Sequence, residues 1–394
     1  MPDRLVVVGA SLAGLRAVEA ARRAEFAGAI TLIGAEPHAP YDRPPLSKEF
    51  LTERGEPTYL RDERSLRDEL DVDLRLGTAA ESLRPQDGTV VAGGEEISYT
   101  GLVIATGAAA RPLAGAPDLA GVYTLRTLDD ARAIRAALGP GVRIVVIGAG
   151  FIGSEIACSA GATGAEVTVV EAAPVPLAAA VGERMGTALA ALHERNGTQL
   201  RCGVPVTGIE GERRVEAVAL DDGTRIPADV VIVGVGATPE TGWLAGSGVK
   251  VDDGVVCDET LGTGLPGVYA AGDVARWPNP LFGETMRLEH WTTAAEQGAL
   301  AARNAIAPEA ARPCSTVPYF WSDWYDSRIQ FVGVPTADEV RVVAGDPDSD
   351  SFLALYRRGE RVIGALGLNR RREVMKLRAM IGKHASWDDA LGVS

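Results

Sequence analysis

The chain has 394 residues, 46% of them apolar and 23% charged, and a net charge of -14. That length suggests two or three domains, the composition is that of an ordinary globular chain, and the excess of acid argues against nucleic-acid or anionic-membrane binding. No apolar run reaches about 18 residues, so no membrane span is expected.

The first strand is expected to begin at Leu5, so no signal peptide is expected. The four cysteines, Cys158, Cys202, Cys257 and Cys314, lie far apart in sequence. This excludes a C-x-x-C redox pair and the spacings of a zinc or iron–sulfur site; reduced thiols of a cytoplasmic protein are expected, with no metal.

In chain order, Leu5–Val8 reads as a strand, followed by Gly9-Ala-Ser-Leu-Ala-Gly14 and a helix from about Leu15 to Ala24. The next strand, Ile30–Ile33, leads to Glu36. A glycine-rich turn between strand and helix presents a helix N-terminus to a pyrophosphate. Ser11 stands where the middle glycine is usual; it is small, and its hydroxyl can donate to a phosphate. Residues 40–48 read Pro-Tyr-Asp-Arg-Pro-Pro-Leu-Ser-Lys. The prolines predict a rigid loop. Its Arg43 and Lys48 suit phosphate or flavin contacts, or are solvated surface cations. Leu102–Gly107, which includes Ala105 and Thr106, reads as a buried strand ending in a glycine turn.

The strongest signal is Arg143-Ile-Val-Val-Ile-Gly-Ala-Gly-Phe-Ile-Gly-Ser-Glu155. Gly148 allows the tight turn, Gly150 lets the backbone approach a pyrophosphate, and Gly153 lets helix and strand pack closely. Phe151 and Ile152, between the last two glycines, are further candidate contacts to the nucleotide. The following strand, Val167–Val170, ends on Glu171, an acid that can bind a ribose 2′-OH and would repel a 2′-phosphate. Strand, helix and acid in register predict an NADH site and disfavour NADPH. Val230–Gly236 mirrors the earlier buried strand, and Gly267–Asp273 supplies another. Asp273 is placed to accept from sugar or ribityl hydroxyls, or to cap a following helix.

From residue 314 the pattern changes to an aromatic-rich run, Pro318–Tyr325, then short strand-like runs and a helix from about Arg372 to Ile381. The expected architecture is α/β, with two Rossmann-like dinucleotide-binding domains and an α+β C-terminal domain. The expected boundaries are 1–107 with 237–313 for the first fold, 108–236 for the second and 314–394 for the last.

The chain resembles the FAD-dependent, NADH-linked ferredoxin reductases of bacterial oxygenase systems, and their rubredoxin-reductase and apoptosis-inducing-factor-like relatives. The residues that carry the resemblance are Gly9–Gly14, Tyr41–Lys48, Ala105-Thr-Gly107, Gly148–Gly153, Ala271-Gly-Asp273, Glu289-His-Trp291 and Tyr319-Phe-Trp-Ser-Asp323. It implies a glutathione-reductase-like arrangement with FAD in the first fold. Gly9, Ser11, Ala13 and Gly14 would lie against its pyrophosphate, and Glu36 would take the adenosine ribose. Arg43 and Lys48 would serve phosphate and isoalloxazine. Ala80, Ala105, Thr106, Gly107 and Arg126 would be further FAD contacts, with Asp273 at the ribityl–phosphate region and Trp291 beside the flavin ring. Glu155 would lie near the nicotinamide and pair with Lys48, unless it is an exposed acid in a first helical turn. Gly236 would join the NAD site. Trp321 would sit at the flavin edge, unless it is plain core.

The chemistry is then expected from Lys48, Glu155 and Trp321: hydride transfer from NADH to FAD, and release of electrons singly to a small acidic [2Fe–2S] ferredoxin that feeds an oxygenase. Alternatives are a reductase of rubredoxin or a small-molecule acceptor, and an NADH-responsive binding protein. A monomer or weak dimer is expected. Nine basic residues between Arg357 and Lys383 face two acids, Glu360 and Glu373, in an otherwise acidic chain. They read either as a ferredoxin-steering surface or as a solvated face.

Overall fold

Two five-stranded parallel sheets repeat one strand order. In the first, Val268–Ala270, Gly101–Ile104, Arg4–Val8, Ala29–Ile33 and Val72–Arg75 lie side by side. In the second, Val122–Thr124, Val230–Val233, Arg143–Ile147, Glu166–Glu171 and Gln199–Cys202 take the corresponding places. The edge strand arrives last in one sheet and first in the other. The central strands are almost wholly valine, leucine and isoleucine, and they are buried, as expected of parallel strands covered on both faces.

The computed structural model describes residues 4–53 and 55–393. They form two compact units. One comprises Met1–Asp42, Thr58–Ala109 and Thr238–Pro318. The other comprises Arg43–Pro57, Ala110–Ala237 and Tyr319–Ser394.

In the first unit the helix after the Gly9–Gly14 turn spans Leu12–Arg23, starting three residues before the sequence expectation. The glycine that lowers helix propensity at position 14 lies inside the first turn, where close packing on Gly9 matters more than propensity. This helix packs against Trp291–Ile306, and a Cβ at Gly298 would lie 2.1 Å from the Ala13 carbonyl oxygen, so only glycine allows that approach.

In the second unit a five-stranded antiparallel sheet runs in the order Tyr319–Trp324, Ser327–Gly333, Arg361–Leu368, Phe352–Arg358, Glu339–Gly345. The helix Arg371–Ile381 follows it. Phe331 makes the aromatic core, stacked on Phe320 at 5.4 Å and edge-on to Tyr356 at 5.1 Å. The proline-rich run is not a plain loop. Pro44–Ser47 makes a 3-10 turn, with proline in the first positions where its missing N–H costs nothing, and Glu49–Thr52 continues as a short helix.

Candidate functional site

The first unit holds one glycine cradle. Gly9 takes φ +119°, and a Cβ there would lie 2.0 Å from the Ala105 carbonyl oxygen and 3.0 Å from the Thr106 nitrogen. A Cβ at Gly14 would lie 1.9 Å from the Gly9 carbonyl oxygen. The turn therefore closes onto the end of the Gly101–Ile104 strand. Ser11 sits at the helix N-cap but makes no side-chain cap bond. Gly272 brings Asp273 to this end, since a Cβ on it would be 3.2 Å from that of Ala13. Asp273 lies within the short turn Gly272–Val274, whose N-cap is Ala271, so the capping alternative for Asp273 does not hold. Its carbonyl accepts from Arg287, which also pairs with Asp253 and Glu289.

Glu36 accepts from the Tyr41 hydroxyl at 2.5 Å, and the Trp291 indole donates to Asp42 at 2.7 Å. Thr106 donates to the Glu240 carbonyl at 2.7 Å, and Gly107 takes φ +71° beside it. Ala80 begins the separate strand Ala80–Arg84.

The second unit repeats the cradle. Gly148 takes φ +103°, and a Cβ on Gly153 would lie 2.1 Å from its carbonyl oxygen. Gly150 is different: its missing Cβ faces open space, so nothing in the protein demands glycine there. Ile152 is 41% exposed in the first turn of the helix that follows, and Phe151 beside it packs on Phe320 at 4.4 Å. Both oxygens of Glu171 hold the loop, accepting from the Ala149 N–H at 2.7 Å and the Ala173 N–H at 2.8 Å. Gly236, at φ +101°, leads into Ala237 beyond the neighbouring strand.

The chemically distinctive cluster centres on Glu155, one turn into the Phe151–Ala162 helix. It is 5% exposed, so the reading of an exposed first-turn acid does not hold. Lys48 Nζ donates to Glu155 Oε2 at 2.7 Å and to the Pro44 carbonyl at 2.9 Å. Ser47 donates to the same Oε2 at 2.5 Å, and Ser322 donates to Oε1 at 2.6 Å. A buried carboxylate with a cation and two hydroxyls is a compensated charge. Arg43 is likewise tied down, donating to the Arg126 carbonyl at 2.6 Å. Neither loop cation is a free surface charge. Trp321 is half-buried and stacks on Tyr319 at 5.8 Å. The two serines went unassigned in the sequence.

No described cysteine is disulfide-bonded. Burial pushes the Cys158, Cys257 and Cys314 thiols up to about 12, and burial with Glu171 and Glu194 nearby pushes Cys202 up to about 11. At neutral pH these shifts favour the protonated thiol, which is not the nucleophilic form.

Residues 3–298 match the pyridine nucleotide-disulphide oxidoreductase family, and residues 319–392 match the reductase C-terminal family. The chain belongs to the pyridine nucleotide-disulphide oxidoreductase family. Members use FAD and NAD(P)H. Among its relatives is the ferredoxin–NAD(+) reductase component of the anthranilate 1,2-dioxygenase system of Burkholderia cepacia, 35% identical over 98% of this chain and 96% of the relative. Putidaredoxin reductase of Pseudomonas putida is 33% identical over 93% and 89%. The crystal structure of a covalent putidaredoxin reductase–putidaredoxin complex matches with a TM-score of 0.94 and 32% identity, covering 99% of this chain and 95% of that one.

The residues present fit the family's cofactors. Each unit carries one cradle that a Cβ would fill and one acid at or just after the end of the second strand, as two dinucleotides require. No helix among the described residues is long and apolar enough to cross a membrane.

Proposed function

We propose that this oxidoreductase takes a hydride from NADH onto FAD and passes electrons singly to a small acidic [2Fe–2S] ferredoxin that feeds an oxygenase. The observation that carries the reading is the ion pair of half-buried Lys48 with buried Glu155 beside the Gly148–Gly153 turn, in a chain where burial raises the pKa of every thiol. A dithiol reductase needs a reactive cysteine pair, and none is present among the described residues.

Bound FAD supplies the exchange between two-electron and one-electron chemistry. The chain supplies binding and electrostatics. In the first unit, Gly9, Ser11, Ala13 and Gly14 receive the pyrophosphate, Glu36 the adenosine ribose and Asp273 the ribityl end. Ala80, Ala105, Thr106, Gly107 and Trp291 are proposed as further contacts. In the second, Gly148, Gly150 and Gly153 receive the pyrophosphate of NADH, Glu171 its ribose, and Phe151, Ile152 and Gly236 line the path toward the nicotinamide. Lys48 provides a fixed positive charge for the negative charge that reduction generates, and Glu155 keeps that cation placed. Arg43, Arg126 and Trp321 complete the flavin contacts. No side chain has to move a proton.

We further propose a cytoplasmic protein with reduced thiols that is a monomer or weak dimer. The test is anaerobic stopped-flow of the yellow holoprotein, reduced with NADH and mixed with a [2Fe–2S] ferredoxin from the same genome. Rapid cluster reduction is the expected result. Fast flavin reduction with no transfer to any ferredoxin would move the assignment to rubredoxin, a small-molecule acceptor or an NADH sensor.

A further inference from the structure

Glu155 is held at both carboxylate oxygens, and only one of them meets the lysine. Ser322 donates to Oε1 at 2.6 Å, from the first strand of the C-terminal sheet. The hydroxyl of Ser322 accepts in turn from the Trp324 indole N–H at 2.9 Å. Residues two apart on a strand share a face, so one strand delivers both groups to the same side. Because the indole N–H occupies a lone pair of the hydroxyl oxygen, the hydroxyl hydrogen is directed at Oε1. Ser322 and Trp324 are fully buried, and Ser47 and Glu155 nearly so, so water does not substitute for any of these donors.

The terminal torsion of a glutamate is broad and roughly two-fold, so a carboxylate fixed at one oxygen can still swing. Fixing the second oxygen removes that freedom and with it the freedom of the ammonium paired at the first. We propose that Ser322, oriented by Trp324, is a positioning residue for the Lys48–Glu155 pair and thereby for hydride transfer from NADH. This gives the C-terminal sheet a part in the reductive half of the reaction, separate from any contact with an electron acceptor. The proposal rests on the reading of Lys48 as the cation that serves the flavin.

The test is Ser322→Ala in the flavin-loaded protein, with two readouts. Anaerobic reduction by NADH should slow about tenfold while the NADH dissociation constant stays within about twofold, the pattern of lost orientation rather than lost binding. Modification of Lys48 by an amine-directed acylating reagent, followed by peptide mass spectrometry, should accelerate at least threefold or so as the ion pair loosens. Wild-type values in both readouts would overturn the proposal. If NADH does not reduce even the wild-type flavin, the functional reading fails, and the modification rate still decides whether Ser322 holds Lys48. If Ser322→Ala does not fold, Trp324→Phe is read the same way. It leaves the hydroxyl but frees its rotation; slower reduction with faster modification supports the proposal, and no change in either overturns it.

Discussion

Lys48 and Glu155 stand 107 residues apart in sequence and 2.7 Å apart in space, with side chains 16% and 5% exposed. Removing one partner strands the other charge in a buried setting, which costs about 3 to 5 kcal/mol. Lys48→Met and Glu155→Gln should each be strongly destabilising in urea melts. The double variant should recover much of that loss, and NADH reduction should be slow in all three. Additive effects in the double variant would mean that the pair is not coupled.

The three glycines of the Gly148–Gly153 turn divide by what each faces. Gly153→Ala would drive a Cβ to 2.1 Å from the Gly148 carbonyl oxygen, so it should cost about 3 kcal/mol or fail to fold. Gly150→Ala meets no protein atom. It should keep its melting temperature within about 2 °C and lose about tenfold in NADH affinity, measured by calorimetry or titration. An unchanged NADH affinity would remove Gly150 from the nucleotide path.

Glu171 holds the Ala149 and Ala173 N–H groups with its two oxygens, and in the proposed NADH site its charge would disfavour a 2′-phosphate. Wild-type protein should favour NADH over NADPH in kcat/KM by about tenfold or more. Glu171→Ala should narrow that ratio and also cost about 2 kcal/mol of stability by orphaning the loop donors. Equal efficiency with both nucleotides in the wild type would contradict the assigned role.

Burial lowers the pKa of His193 to about 4; its ring is fully buried, with Nδ1 at 2.8 Å from the Tyr325 hydroxyl and the ring 4.7 Å from that of Trp324. The folded value lies below the unfolded value of about 6.5, so between these two the unfolded chain binds more protons. Stability should therefore fall as pH drops from about 6.5 to 4, by on the order of 3 kcal/mol for this residue, and level off below. His290, also lowered to about 4 by burial, adds in the same direction. Urea melts across this range should show a shallower slope for His193→Gln than for wild type.

The C-terminal cations are not equivalent. Arg357 pairs with Glu339, Arg370 with Glu373, and Arg358 donates to the Thr336 carbonyl. Arg361 meets His384, and Arg378 lies over the Tyr319 ring. Arg371, Arg372 and Lys376 stay exposed around Met375, which is 39% exposed. Reversing those three charges should slow ferredoxin reduction about tenfold at low salt, with little effect at roughly 0.5 M salt or on flavin reduction by NADH. An unchanged rate at low salt would make this a solvated face.

What the sequence determined by itself is local in origin. Apolar runs of four or five residues, glycines at fixed spacing after them and an acid at the next strand end were enough to read two dinucleotide folds, because turn and strand chemistry depends on near neighbours. The early start of the Leu12–Arg23 helix and the turn at Pro44–Ser47 were hidden because packing on Gly9 and the special tolerance for proline at a first turn override propensity. Only the tertiary structure decided what Glu155 is. Its partners Ser47 and Ser322 lie 108 and 167 residues away, and nothing next to a serine in sequence says which carboxylate it will meet. One signal was present: Ser322 falls between Phe320 and Trp324 on the buried face of its strand. A hydroxyl there must find a partner, since desolvation without one costs free energy, but the fold alone decides that the partner is the carboxylate that holds Lys48.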